Sequence, residues 1–254
     1  LAKGKGILAA DESTGTMTKR LTSVNVLSTV ENRLKFRETL FSAEGIKNFI
    51  GGVILYDETI KQKTSSGKTI PELIKSFGSI PGIKVDTGTK KLADSPEEKV
   101  TEGLDGLRER LSEYFKLGAR FTKGRAVYNI SEKHPWELAI KSNAQALAKY
   151  AALVQEAKMV PIVEPEVLMD GEHDINKCYE VSTRVLRECY KELNVHNVNL
   201  KGTILKPNMI LPGNKSKNKS NCSEIAKMTL ECLKENVPSD VPGIAFLSGG
   251  QTEV

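Results

Sequence analysis

Apolar or β-branched runs alternate with stretches of helical periodicity along this 254-residue chain, and that alternation limits the fold more than any other feature. The strand-like runs are "GILAADE" (6–12), "GGVILYDE" (51–58), "GIKVD" (82–86), "FTKGRAVYNI" (121–130), "MVPIVEPEVL" (159–168), "GTILKPNM" (202–209) and "GIAFLSGG" (243–250). Between them the spacing predicts a helix from Val30 to Phe41, entered through a capping box of Ser28 and Glu31, and a short one over Ile70–Ser76. Leu104, Leu107, Leu111 and Tyr114 mark another. A long helix starts at Pro135 and carries alanines through 139–157, one carries Cys178 and Cys189, and the last runs from Ser223 to Leu233. Strands alternating with helices make βα units on a parallel sheet. No GxGxxG follows the first run, which disfavours a doubly wound dinucleotide fold. Polar or charged residues close every strand but the second, at the end where (β/α) barrels place active sites. The expectation is an α/β chain, a single (β/α)8 TIM barrel over residues 1–254. Seven strands and a first residue that is Leu rather than Met lead us to expect residues missing at both ends, the eighth strand and C-terminal tail among them.

Charge narrows the partners. Lys and Arg total 37 against 32 Asp and Glu, and the excess of +5 is spread along the chain. Nucleic-acid binding wants clustered cations. The one basic cluster, "GNKSKNKSN" (213–221), reads as a solvated loop. The balance suits a small anionic substrate and no nucleic acid. No run has the eighteen or more apolar residues of a membrane span, and nothing reads as a signal peptide. The four cysteines, at 178, 189, 222 and 232, lack CxxC spacing. Cys178 and Cys189 fall on an apolar stripe and read as reduced core residues, which points to a cytoplasmic location.

The closing "LSGGQ" (247–251) spells the signature peptide of ABC-type ATPases. The rest of such a site is lacking. Gly67-Lys68-Thr69 ends a Walker A loop, but Gln62 stands where its first glycine belongs, and "VILYDE" precedes that loop instead of following the signature. A strand ending in Ser-Gly-Gly still exposes backbone N–H groups suited to phosphate.

Residues two apart on a strand share a face. Glu164 and Glu166 therefore point one way, with Pro165 between them facing outward. Lys123 and Arg125 share a face, as do Lys84 and Asp86; Lys206 ends the sixth run, and Asp11 and Glu12 end the first. Strands buried on both faces should be continuously apolar. Charges at the same end of five of them are costly unless they pair and act. One chemistry fits: a lysine attacks a ketone as the free amine, which neighbouring cations and burial favour, and carboxyl groups then serve dehydration and C–C cleavage. His134, His173 and His196 lie on separate segments without metal-ligand spacing, so no metal is assigned.

These stretches, "GKGILAADESTGTMTKRL", "IGGVILYDET", "GIKVD.G", "F.K.R", "VPIVEPEVL.DG.HD", "GTILKPNM..PG" and "FLSGGQ.E", occur in order from one end of the chain to the other. Together they closely resemble class I fructose-1,6-bisphosphate aldolase. The resemblance implies the (β/α)8 barrel and reversible aldol cleavage of fructose 1,6-bisphosphate to dihydroxyacetone phosphate and glyceraldehyde 3-phosphate. It places the Schiff base on Lys206, without other cofactor. It gives Glu164 the iminium-forming and dehydrating role, Glu166 its hydrogen-bonding support, and Asp11 the role of base at the C4 hydroxyl. Lys123 and Arg125 would line the site and hold substrate oxygens. Ser248, Gly249 and Gly250 would bind the phosphate near the ketone; Ser13, Thr16 and Lys84 the far one, with Arg20 as an extra contact. A cytoplasmic homotetramer is the family's expected form. The alternative is a basic scaffold that binds actin or acidic peptide tails. The sequence departs from the family pattern at Gly124, where a Trp is expected, at Thr16, where many members have Ser, and after Val254, where the family continues.

Overall fold

The structure is a computed structural model, and it describes residues 3–247. In chain order the elements are β1 (Gly6–Ala10), α1 (Thr14–Ser23), α2 (Val30–Phe41), α3 (Ile46–Phe49), β2 (Ile50–Leu55), α4 (Asp57–Ile60), α5 (Ile70–Ser76) and β3 (Ile80–Lys84). Then come β4 (Gly88–Leu92), β5 (Ser95–Glu102), α6 (Leu107–Leu117), β6 (Phe121–Tyr128), α7 (Glu137–Glu156), β7 (Val160–Val167), α8 (Ile175–Val195), a 3-10 turn (Leu200–Gly202), β8 (Ile204–Leu205) and α9 (Cys222–Asn236). The predicted helices Val30–Phe41 and Ile70–Ser76 are found with those bounds.

Two compact units divide the chain. The first holds the residues up to Val85, with Arg108–Lys123 and Ala157–Met159. Its strands are parallel, β1 beside β2, β2 beside β3, and β3 beside the start of β6. Val53, Ile54 and Leu55 are all buried, at 0%, 1% and 0% exposure, so both faces of β2 are covered, as a parallel sheet requires. Glycine makes that packing possible. A Cβ on Gly82 would lie 2.3 Å from the Phe121 ring, and one on Gly52 would lie 3.1 Å from it. The ring therefore rests on two strands that have no side chain at those points.

The second unit holds Asp86–Leu107, Gly124–Glu156 and the residues from Val160 on. Here β7 runs parallel to β8, and α7 and α8 pack against β7 and against each other. The end of β6 reaches the end of β7 through a bond from Leu168 N to Tyr128 O of 2.9 Å. Thr101 Oγ1 donates to Arg125 O at 2.7 Å and Asn143 Oδ1 accepts from Thr101 N at 3.1 Å, which ties the antiparallel β4–β5 hairpin to β6 and α7.

Several expectations need correction. The cap of α2 is Thr29, which accepts from Asn32 N at 3.1 Å; Ser28 instead accepts from Thr18 and Arg33. The sixth predicted strand keeps only two ladder residues, since Pro207 has no N–H to continue it. Within 243–247 the seventh makes a single parallel bridge, Leu205 to Ile244. The hairpin and α1 were not predicted at all.

Candidate active site

In the first unit the chemistry gathers where β1 ends. Asp11 follows the strand directly and is 7% exposed; Lys123, on β6, is equally buried and donates from Nζ to the Asp11 carboxylate. The β3–β6 register sets Lys84 opposite Lys123. Glu12, the next residue, takes an ion pair from Arg20 of α1. Its main-chain oxygen accepts from Arg37 Nη2 of α2 at 2.6 Å. Arg33, one turn earlier on α2, forks onto Glu58 at 2.9 and 2.6 Å. Ser13 caps α1: its Oγ accepts from Thr16 N at 3.3 Å and lies 3.1 Å from Thr16 Oγ1. Ser13 and Thr16 thus present two hydroxyls at a helix N-terminus, where the dipole and free N–H groups favour an anion.

In the second unit the register of β7 and β8 does the placing. Ile162 faces Ile204 and Val163 faces Leu205, so Glu164 comes next to Lys206. Lys206 N donates to Val163 O at 2.8 Å, and Lys206 Nζ donates to the Glu164 carboxylate, which is 2% exposed. Two residues along β7, Glu166 accepts from Arg125 Nε and Nη2, both at 2.5 Å. Burial works against the Arg125 charge, but the Glu166 bond and the fields of Glu166, Glu164 and Asp86 outweigh it and hold its pKa above the ordinary arginine value. A cleft of about 340 Å³ opens beside this pair, lined by Arg125, Glu166, Met169, Asn208, Met209 and Asn214 among others.

The structure therefore joins Asp11 to Lys123, Arg20 to Glu12, Ser13 to Thr16, Lys206 to Glu164 and Arg125 to Glu166. Ser248, Gly249 and Gly250 lie outside the described residues. The space at Gly124 is taken: a Cβ there would sit 2.7 Å from the Tyr150 ring. Two residues in these clusters escaped the sequence reading. Arg37 was hidden in a helix that shows a weak apolar stripe. Asn208 lies in "GTILKPNM", where the sequence suggests no role for it. Its Oδ1 accepts from Val167 N at 3.0 Å, and its Nδ2 donates to Ser182 Oγ at 3.1 Å and Met209 O at 3.0 Å. It thereby pins the segment after Lys206 to the end of β7 and to α8.

Known proteins resemble this chain closely. The family model "Fructose-bisphosphate aldolase class-I" matches residues 1–254. Cytosolic fructose-bisphosphate aldolase 4 of Arabidopsis thaliana is 53% identical over 98% of this chain and 64% of its own length. A probable class 1 fructose-bisphosphate aldolase of Xylella fastidiosa is 52% identical over 100% of the chain and 76% of its own. The chain thus spans about two thirds to three quarters of these relatives. The solved fructose-bisphosphate aldolase of Plasmodium falciparum, in complex with TRAP and a small-molecule inhibitor, superposes with a TM-score of 0.96 at 45% identity, over 98% of this chain and 72% of that one. The likeness gives the α/β, TIM-barrel-like fold class expected from the alternation of strands and helices.

Proposed function

This chain belongs to the class-I fructose-bisphosphate aldolase family, and from that premise we propose that it catalyses the reversible aldol cleavage of fructose 1,6-bisphosphate through a Schiff base on Lys206. The observation that carries the reading is the direct bond from Lys206 Nζ to Glu164. A protonated lysine is not a nucleophile. Transfer of its proton along that bond leaves a free amine and a carboxylic acid side by side. The amine adds to the C2 ketone. The acid then protonates the departing hydroxyl of the carbinolamine, water leaves, and the iminium forms.

Cleavage asks for a base at the C4 hydroxyl, and Asp11 takes that proton. The C3–C4 bond breaks, its electron pair moves into the iminium to give the enamine, and glyceraldehyde 3-phosphate departs. Protonation of the enamine at C3 and hydrolysis of the iminium release dihydroxyacetone phosphate and return Lys206. Lys123 orients the Asp11 carboxylate through its ion pair. Glu166 fixes Arg125, whose guanidinium is left aimed at substrate oxygens. Ser13 and Thr16 hold the phosphate far from the ketone at the start of α1, with Lys84 and Arg20 assisting. Ser248, Gly249 and Gly250 are assigned to the other phosphate. The covalent chemistry is that of the lysine, with Glu164 and Asp11 moving the protons, and no metal or organic cofactor is assigned.

A cytoplasmic location and a homotetramer belong to the same proposal; the Arabidopsis thaliana relative is a cytosolic one. The test is turnover. The full-length protein mixed with fructose 1,6-bisphosphate should release the two triose phosphates in equal amounts, followed by a coupled assay. A folded protein that releases neither would overturn the proposal.

A further inference from the structure

The first unit holds a charge network that the reaction does not explain. Arg37 is 1% exposed, the most deeply buried charged side chain among the described residues. It spends one donor on the Glu12 main-chain oxygen at 2.6 Å. It lies 3.8 Å from the Glu12 carboxylate and 3.9 Å from that of Glu58. Its Nε and Nη1 make no hydrogen bond among the described residues. The Tyr56 ring, 6.0 Å from its guanidinium carbon, covers one side. Burial pushes its pKa below the ordinary arginine value, while the fields of Glu12, Glu58 and Asp11 act the other way and that of Arg33 acts with burial.

A buried guanidinium with unspent donors is costly, and an apolar side chain of similar volume would fill the same space more cheaply. Retention of the cation calls for something that only a charge and a rigid fork supply. What it touches answers that. Glu12 follows Asp11 directly, so a clamp on the Glu12 carbonyl fixes the peptide that aims the Asp11 carboxylate. The neighbouring charges are paired in turn: Lys123 of β6 with Asp11, Arg20 of α1 with Glu12, and Arg33 of α2 with Glu58 of α4. Arg37 reaches the backbone just past β1, through its bond to the Glu12 carbonyl.

We infer that Arg37 is a positioning residue for the cleavage step, holding the end of β1 so that Asp11 meets the C4 hydroxyl. This rests on the proposed aldolase reaction. It has a specific consequence, because formation of the iminium by Lys206 and Glu164 does not depend on Asp11. Loss of Arg37 should therefore slow cleavage and leave trapping of the Schiff base intact, whereas a merely structural role would weaken both together or neither.

The experiment uses the full-length protein and its Arg37→Met and Arg37→Lys variants, each checked for folding by circular dichroism. Steady-state cleavage of fructose 1,6-bisphosphate is measured beside the stoichiometry of borohydride-trapped adduct on Lys206. Arg37→Met should lower kcat about ten- to a hundredfold, the scale of a misplaced catalytic group, with KM and trapped adduct unchanged. Arg37→Lys should fall between it and the parent, since an ammonium keeps the charge without the fork. A folded Arg37→Met with the parent's kcat overturns the inference, as does a parallel loss of kcat and adduct. Should Arg37→Met fail to fold, Arg37→Lys decides, and a kcat at the parent's level overturns it. A parent that neither cleaves nor traps the bisphosphate overturns the functional reading, and this inference with it.

Discussion

Two lysine–carboxylate pairs, Lys123 with Asp11 and Lys206 with Glu164, look alike as contacts: each is a direct ion pair at the end of a parallel strand. They are built differently. Lys206 meets Glu164 because β7 and β8 lie in register, and Asn208 then locks the segment that follows. Asp11 takes its lysine from β6, and helix-borne cations hold the residue that follows it, with Arg37 clamping the Glu12 carbonyl and Arg20 paired with the Glu12 carboxylate. Backbone register tolerates little adjustment, which suits a nucleophile that must form and break a covalent bond. Helix-borne side chains tune the field and direction of a carboxylate, which suits a base.

Removing each pair's acting group tests the division most sharply. Lys206→Met should lower cleavage by about 10⁴-fold or more, as loss of a covalent nucleophile does, with the fold kept by circular dichroism. A variant with appreciable turnover would break the assignment. Asp11→Asn should lower kcat by about 10²–10⁴-fold, the range of a general base, yet still give the borohydride-trapped adduct on Lys206. Loss of the adduct in that variant would mean that the two pairs are not separable in function.

Stability changes should follow the packing of each region. Gly82→Ala would drive a methyl into the Phe121 ring, and about 1–3 kcal/mol of destabilisation is expected from the denaturant midpoint. Asn208→Ala would strip the acceptor from the buried Val167 N–H, at a similar cost of about 1–3 kcal/mol. An unchanged midpoint there would show that Asn208 is not the lock described above. Acid should have the smallest effect. Burial holds His173 below its ordinary 6.5, against the opposing field of Asp174. Below that pH the unfolded chain binds the proton more readily than the folded one. Its contribution is therefore complete above pH 6.5 and is lost as the pH falls through the lowered value. His173→Gln should flatten that part of a plot of Tm against pH.

Which charged residues share a strand face was legible in the sequence because strand periodicity is local. Two-residue spacing identified Glu164 with Glu166 and Lys123 with Arg125, and it needs no knowledge of the neighbours. The partner of Lys206 was not legible, since the β7–β8 register depends on residues some forty positions apart. The helix α2 was found from its spacing, but its cap was misplaced by one residue because Ser28 and Thr29 are both good caps. The hairpin β4–β5 was missed for a different reason. "GTKKLADSPEEKV" is polar and half exposed, and its stability comes from Asn143 and Arg125 across the unit rather than from an apolar pattern. α1 buries only Met17 and Leu21, too few to mark a helix, and its Ser13 and Thr16 were read as ligands of phosphate without the cap that they also form. A Cβ at Gly124 would meet the Tyr150 ring, so the Trp expected at that position does not fit this packing.

The proposed reaction turns on a covalent bond to Lys206. The direct test is to mix the full-length protein with fructose 1,6-bisphosphate, reduce with borohydride, and map the modified peptide by mass spectrometry. A single reduced adduct on Lys206 is expected, formed in proportion to loss of activity. An adduct on another lysine, or none from a folded protein that still cleaves the sugar, would contradict it.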